Sequence, residues 1–410
     1  MEPSKKRAVR LFTLVIALTA LANGLGSSIF SNYFNEVYHI DSIQRGFIEI
    51  PRESPGVLCM ALVAALGSLG SLWMSVVAQL LLLTGLVVMG LFSPSYGVML
   101  VFLFIHSLGM HLFMPLNDAI SMDLAEKGKV GTAFGKFKGV NTFFSMAAAL
   151  MVFLGFRFGV FHFGEGFILP FAIGAAATAA AVVLLARMAV SIPRQSGHVK
   201  SHKLLFRRAY MPYYMVTLAY GCQKRIKIVF APWVIINLLG QGADTVALLT
   251  IVVHFVGTWF APLIGRLLDR MGVRRMLWLE AGYIVLSFTA MGLLAGQLAG
   301  GAFSSGGWQT WLVFAAYILC VLFEQFNMVH SFMMRSMALD PGEVTQTLSV
   351  GLSVDHVMAI VASPIMGLIW EGWGVQYVFY LAALSAILQL AAAGMVGKTE
   401  LSRVKIFHFY

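Results

Sequence analysis

The feature that most constrains this chain is a series of long, nearly uninterrupted apolar runs recurring from one end to the other. A helix crossing a bilayer needs about 20 mostly apolar residues, whereas a barrel strand needs only about 10, of alternating polarity. The runs therefore predict an all-α membrane protein with twelve spans, near 11–37, 46–66, 72–92, 97–122, 132–157, 167–190, 210–238, 244–264, 276–296, 309–336, 345–369 and 374–397. Composition agrees: 59% of residues are hydrophobic and 11% charged, against about 25% charged in a soluble domain. The net charge of +10 is spread over short connections rather than gathered on one face, so no nucleic-acid partner is expected. Lys5, Lys6, Arg7 and Arg10 precede the first run as in a signal peptide, but its apolar character continues to Phe34, which predicts an uncleaved first helix.

Most connections are short. The exception, Ser191 to Arg208, is polar and basic, and it divides the chain into a six-helix block at 1–190, a linker at 191–208, a second block at 209–397 and a tail at 398–410. Lys127, Lys129, Arg194, Lys200, Lys203, Arg207, Arg208, Arg266, Arg270, Arg274, Arg275, Lys398, Arg403 and Lys405 join the N-terminal cluster on one side, with Arg45 and Arg157 on the other. By the positive-inside rule both termini are cytoplasmic and the linker and tail lie on that side. A weak internal repeat aligns Gly131 to Asn141 with Thr345 to Asp355, consistent with a duplicated unit.

Between spans eight and nine the chain reads Gly265-Arg266-Leu267-Leu268-Asp269-Arg270-Met271-Gly272-Val273-Arg274-Arg275. This resembles the G-x-x-x-D-R-x-G-x-R-R signature of the major facilitator superfamily. The resemblance implies two pseudo-symmetric six-helix bundles, alternating access, a cavity lined by spans 1, 4, 7 and 10, and gating roles for Gly265, Asp269, Arg270, Gly272, Arg274 and Arg275. On the residues themselves, Gly265 permits close packing, Gly272 a tight turn, and Asp269 can pair with a neighbouring arginine or a helix N-terminus. Two departures stand out. The loop between spans two and three, Gly67 to Ser71, carries no charge, and span five lacks the proline of the drug-antiporter subgroup.

A charge at the bilayer centre costs about 2.5–3.5 kcal/mol on the insertion scale, so charged residues inside spans need a role or a partner. Span seven carries Lys224, Arg225 and Lys227, placed about 21–26 Å along the helix. Tyr220, Lys224 and Lys227 share one face by spacing, and Arg225 points about 100° from Lys224. Span ten offers Glu324, Gln325, Asn327 and His330, and span eleven Asp355 and His356. Glu324 and Asp355 are the expected partners of the span-seven cations. Span four holds His106, His111, Asn117 and Asp118, span one Asn23, and span five begins with Lys136 and Lys138, which snorkel or pair with Asp118. Arg52 and Glu53 lie between Pro51 and Pro55, where the helix ladder is broken, and are read as an outer gate, a kink or a structural pair. Six interior cations (Arg52, Lys136, Lys138, Lys224, Arg225, Lys227) stand against four acids (Glu53, Asp118, Glu324, Asp355), an excess that suits an organic anion.

These residues predict a secondary active transporter in the cell membrane, a monomer that moves a small organic solute with protons or another ion as the coupling partner. Substrate contacts fall to Asn23, His106, His111, Tyr220, Lys224, Arg225, Lys227, Glu324, Gln325 and Asn327, and proton coupling to Glu324, Asp355, His356 and Asp118. Two alternatives are weighed: a proton-coupled exporter of drugs or amphiphilic lipids, and a membrane receptor or enzyme without transport. No metal-ligand cluster, nucleophile–base spacing or nucleotide loop stands out, and the three cysteines are far apart, so no enzyme, cofactor or metal is expected.

Overall fold

A computed structural model describes residues 3–66, 69–92, 94–124, 130–164, 168–191, 207–339 and 341–396. The predicted linker core at 192–206, the tail at 398–410 and the basic pair Lys127 and Lys129 lie outside the described residues. The described chain is helical: α1 (Pro3–Tyr38), α2 (Ser42–Phe47), α3 (Glu49–Leu66), α4 (Ser71–Leu91), α5 (Tyr96–Leu124), α6 (Val130–Arg157), α7 (Leu169–Ser191), α8 (Met211–Arg225), α9 (Ala231–Trp233), α10 (Ala243–Ala299), α11 (Gln309–Leu322), α12 (Asn327–Met337), α13 (Pro341–Gly372) and α14 (Val375–Ser385). Among the described residues, ten helices are long and apolar enough to cross a membrane. The predicted spans 46–66 and 210–238 are not among them. The first is divided at Ile48 into α2 and α3 and carries Glu49, Arg52 and Glu53, with Arg45 just ahead of it; the second is interrupted by two π-turns and carries three cations.

The chain divides into two compact units, and the division does not follow the linker alone. One unit gathers described residues 3–39, 51–191 and 242–251; the other gathers 40–50, 207–241 and 252–396. Within the N-terminal unit, α1 packs on α6 and α7, and α4 on α5 and α7. Phe12, Ile16, Met74, Leu112, Phe113 and Leu185 form its core. Helices in lipid associate by close packing rather than by a hydrophobic drive, and Gly109 shows how: a Cβ there would lie 2.3 Å from the Ala78 carbonyl oxygen.

In the C-terminal unit, α13 packs on α2, α8 and α14. Tyr210, Tyr213, Leu268, Met276, Phe326 and Met333 form the core around α8, α10 and α12. The segment 40–50 enters this unit for local reasons. His39 takes a left-handed conformation (φ 50°) that ends α1. Asp41 then caps α2, its carboxylate accepting from the Gln44 N–H while the Gln44 side chain accepts from the Asp41 N–H. Trp233 Nε1 donates to Ser42 Oγ at 3.0 Å, and the Ser42 N–H donates to Glu371 Oε1 at 3.3 Å.

Candidate functional site

The charged residues of span seven sit where its winding changes. α8 ends at Arg225, and Ile226–Phe230 continues as a π-turn in which the Ala231 N–H bonds back five residues to the Ile226 carbonyl. Pro232 supplies the reason: it has no N–H and its ring clashes with the preceding turn, so an extra residue is accommodated ahead of it. Facing it, Phe323–Phe326 is overwound into a 3₁₀ turn between α11 and α12, with the Asn327 N–H bonding to the Glu324 carbonyl. An underwound and an overwound turn thus present Lys227 and Glu324, which pair directly. Lys227 is 4% exposed and Glu324 is 52% exposed, so the pair has a closed end and an open end.

A second set of contacts joins α8, α13 and the 40–50 segment. Lys224 Nζ donates to Asp355 Oδ2 at 2.6 Å, and Arg225 Nη2 reaches the same oxygen at 3.4 Å. Arg225 Nη1 lies 3.8 Å from Glu49 Oε2, and Glu49 Oε1 accepts from Arg45 Nη1 at 2.8 Å. Charges therefore alternate from Lys224 through Asp355, Arg225 and Glu49 to Arg45. The expected divergence of Lys224 and Arg225 is corrected here, because both long side chains converge on one carboxylate. Arg45, expected in an outer loop, is buried beside Glu49.

A third contact brings in Glu280, which sequence reasoning missed, beside His330, which it named. Glu280 of α10 is fully buried and bonds through Oε1 to His330 Nε2 at 2.8 Å. Tyr220 packs edge-on to His330, with ring centroids 5.0 Å apart, and against Phe323 at 5.2 Å. Glu49 and Glu280 each stand within five residues of the start of a predicted span, where charges are usually solvated, and this hid them from a count of mid-span charges. The count itself changes. Among the described residues of the C-terminal unit, the Lys, Arg, Asp and Glu side chains in the contacts given above are four basic (Arg45, Lys224, Arg225, Lys227) and four acidic (Glu49, Glu280, Glu324, Asp355), with His330 beside Glu280.

Asn327 is exposed beside Glu324, whereas Gln325 is turned toward α10, its Nε2 3.5 Å from the position of a Cβ on Gly257. His356 is buried. In the signature loop, Gly272 has φ 73° and ψ 168°, a conformation open essentially to glycine alone, and it separates two helical stretches of α10. Among the described residues a Cβ on Gly265 would meet only the Met328 sulfur at 3.9 Å, so no close packing against them depends on this glycine. Asp269, Arg270, Arg274 and Arg275 are exposed.

In the N-terminal unit His106 is a packing residue: its ring meets Phe30 edge-on at 5.4 Å, and its Cβ would lie 2.5 Å from a Cβ on Gly85. His111 Nδ1 lies 2.8 Å from the Ser107 carbonyl and 3.0 Å from Ser107 Oγ, and its Nε2 is 3.8 Å from Glu53. Ser107 Oγ also donates to the Arg52 carbonyl, tying α5 to the proline-bracketed turn of α3. Asn23 is half-buried, and Asp118, Lys136 and Lys138 are exposed.

No family model and no curated protein sequence matches the chain. Solved structures do. A nucleoside transporter, NupG, aligns with TM-score 0.75 at 16% identity, covering 94% of this chain and 99% of its own. A POT family transporter in complex with 5-aminolevulinic acid aligns with TM-score 0.74 at 13% identity, covering 96% of each. A D-xylose–proton symporter aligns with TM-score 0.68 at 13% identity, covering 94% of this chain and 96% of its own. The proteins so matched are transporters, not enzymes. Whole-chain superposition at such low identity speaks to architecture: this multi-span helical chain shares the fold of these transporters.

Proposed function

We propose that the chain is a secondary active transporter, with twelve spans and both termini cytoplasmic, that moves a small polar organic solute across the cell membrane by alternating access of two six-helix bundles. The observation that carries this reading is the Lys227–Glu324 pair, held on two helices that both leave α geometry at that point. π-bulges and 3₁₀ turns inside long helices gather at functional sites, because they free backbone groups and allow local rewinding. An ionised pair with one open end inside a membrane protein also needs a water-filled face. The matched structures, which handle a nucleoside, 5-aminolevulinic acid and xylose, support a small polar cargo. Burial of Arg45 leaves only Arg157 on the predicted outer side, which sharpens the charge asymmetry behind the orientation.

Tyr220, Lys224, Lys227, Glu324 and Asn327 are assigned to the solute, with Arg225 and Asp355 behind them. Coupling to protons follows from competition, since a proton arriving at Glu324 or Asp355 contends with the lysine already there. The test is flux in proteoliposomes holding the purified chain. We expect uptake of a polar metabolite driven by an inward proton gradient, and its loss in Glu324→Gln. Uptake that ignores both pH and uncouplers sinks the proton coupling, and absence of flux across a broad metabolite panel sinks the transport reading.

A further inference from the structure

The two ion pairs nearest the broken turn of span seven each have a closed member and an open one, and the open members carry opposite charges. Behind lie Asp355, 7% exposed, and Lys227, 4% exposed; in front lie Lys224, 22% exposed, and Glu324, 52% exposed. We propose that the bound solute is a zwitterion whose anionic group is taken by Lys224 and whose cationic group is taken by Glu324. This rests on the transport reading above and specifies its cargo.

The donor and acceptor inventory fits addition of a solute without breaking either pair. A lysine ammonium has three donors, and Lys224 spends one on Asp355 Oδ2. Asp355 is also held by Arg225, so it keeps a cation if Lys224 swings toward a ligand. A carboxylate has about four acceptor positions on two oxygens, and Glu324 engages Lys227 through Oε2 alone. Lys224 lies in the last turn of the α-helical stretch and Lys227 in the π-turn that follows it, three residues on, so the two pairs are formed from adjoining turns of one span.

The same arrangement disfavours singly charged solutes. An anion that reached Lys224 would bring its charge up to the open carboxylate of Glu324, and a cation at Glu324 would meet Lys224. Because each of the two pairs joins one basic and one acidic group, a solute of zero net charge is the one that leaves them balanced. A short molecule with an ammonium or other cationic group a few bonds from a carboxylate meets both requirements.

The experiment uses the purified full chain with the common α-amino acids, β-alanine, γ-aminobutyrate and glycylglycine, each beside its N-acetyl derivative (an anion) and its carboxamide (a cation). Thermal stabilisation screens the set and calorimetry gives affinities. At least one zwitterion is expected to bind, with both of its derivatives about 10- to 100-fold weaker, the loss of one charge-assisted contact each. Lys224→Gln leaves Asp355 paired with Arg225 and should fold; in it the preference over the carboxamide should vanish while the preference over the N-acetyl form persists. Glu324→Gln should do the reverse. Binding of an N-acetyl derivative as tightly as its parent, or no stabilisation by any zwitterion, overturns the proposal. Flux separates the two levels: transport of a singly charged or uncharged solute by the wild-type chain sinks the zwitterion assignment but leaves a transporter, whereas no flux of any solute removes the reading beneath it.

Discussion

Gly46 offers a measurement of how firmly the 40–50 segment is built into the C-terminal unit. Ideal placement of a Cβ on Gly46 brings it within 2.4 Å of the Ser363 carbonyl oxygen, 3.0 Å of the Ser363 carbonyl carbon and 3.1 Å of the Pro364 Cα. All three are backbone atoms of α13, so no rotamer change relieves the contact. Restoring an ordinary 3.4 Å separation from 2.4 Å means moving α2 off α13 by about 1 Å. That movement is opposed at the other end of α2 by the Trp233–Ser42 and Ser42–Glu371 hydrogen bonds. Overpacking of this kind costs about 1–3 kcal/mol. An alanine also raises helix propensity by about 1 kcal/mol over glycine, which masks part of that cost. Gly139→Ala on α6 supplies the correction, because it gains the same propensity in open space with no atom within 4 Å. The difference between the two variants therefore isolates the contact. At about 2.1 cal/mol/K of unfolding entropy per residue, a chain of 410 residues shifts by about 1 °C per kcal/mol, so Gly46→Ala should melt about 1–4 °C below Gly139→Ala in detergent. It should also weaken solute binding, since the same shift moves Arg45 and Glu49 away from Arg225. Equal melting temperatures would refute the reasoning, because α2 would then be free to slide on α13.

Other contacts give outcomes of their own. Gly272→Ala should cost about 1–3 kcal/mol, because its φ of 73° with ψ 168° is strained for any side chain, while Gly265→Ala should be near neutral; melting curves of the two compare them directly. Glu324→Gln should destabilise more than Lys227→Gln in thermal melts, because it strands a lysine that is 4% exposed, while the reverse change leaves a carboxylate already half in the open. Glu280→Gln and His330→Gln should each cost about 1–3 kcal/mol, and the double variant should cost less than their sum, with a coupling of about 0.5–3 kcal/mol measured by denaturation. His106→Phe should be tolerated in flux assays while His106→Ala loses about 2–4 kcal/mol of stability, since the ring fills space against Phe30 and Gly85 rather than meeting solute.

What could be read from the chain alone was what a bilayer imposes on one segment at a time. Run length is legible because each spanning helix must satisfy its own backbone over about 30 Å, and Gly272 is legible because a tight turn between two helices leaves few alternatives to glycine. Pairing between segments is another matter. Whether Lys224 meets Asp355 depends on how α8 lies on α13, and the seating of α13 is set by small-residue contacts such as Gly46 on Ser363 and Gly367 on Ser42. A chain with 40 glycines offers too many such pairs for spacing to choose among them. The π-turn was hidden for a related reason: Pro232 is plain in the sequence, yet a proline says only that the ladder is interrupted, not whether the helix kinks, breaks or takes up an extra residue. These blind spots compound in the charge count. Six cations against four acids pointed to an anion, but that surplus depended on which charges were treated as interior. Moving Arg45 and Glu49 inward, adding Glu280 and placing Asp118, Lys136 and Lys138 at the surface leaves five cations against five acids, so the surplus disappears. A substrate class inferred from net charge is thus only as sound as the assignment of residues near helix ends. Sign and exposure at individual open side chains, here Lys224 and Glu324, are the sturdier guide, because they depend on contacts that a measured affinity can test one at a time.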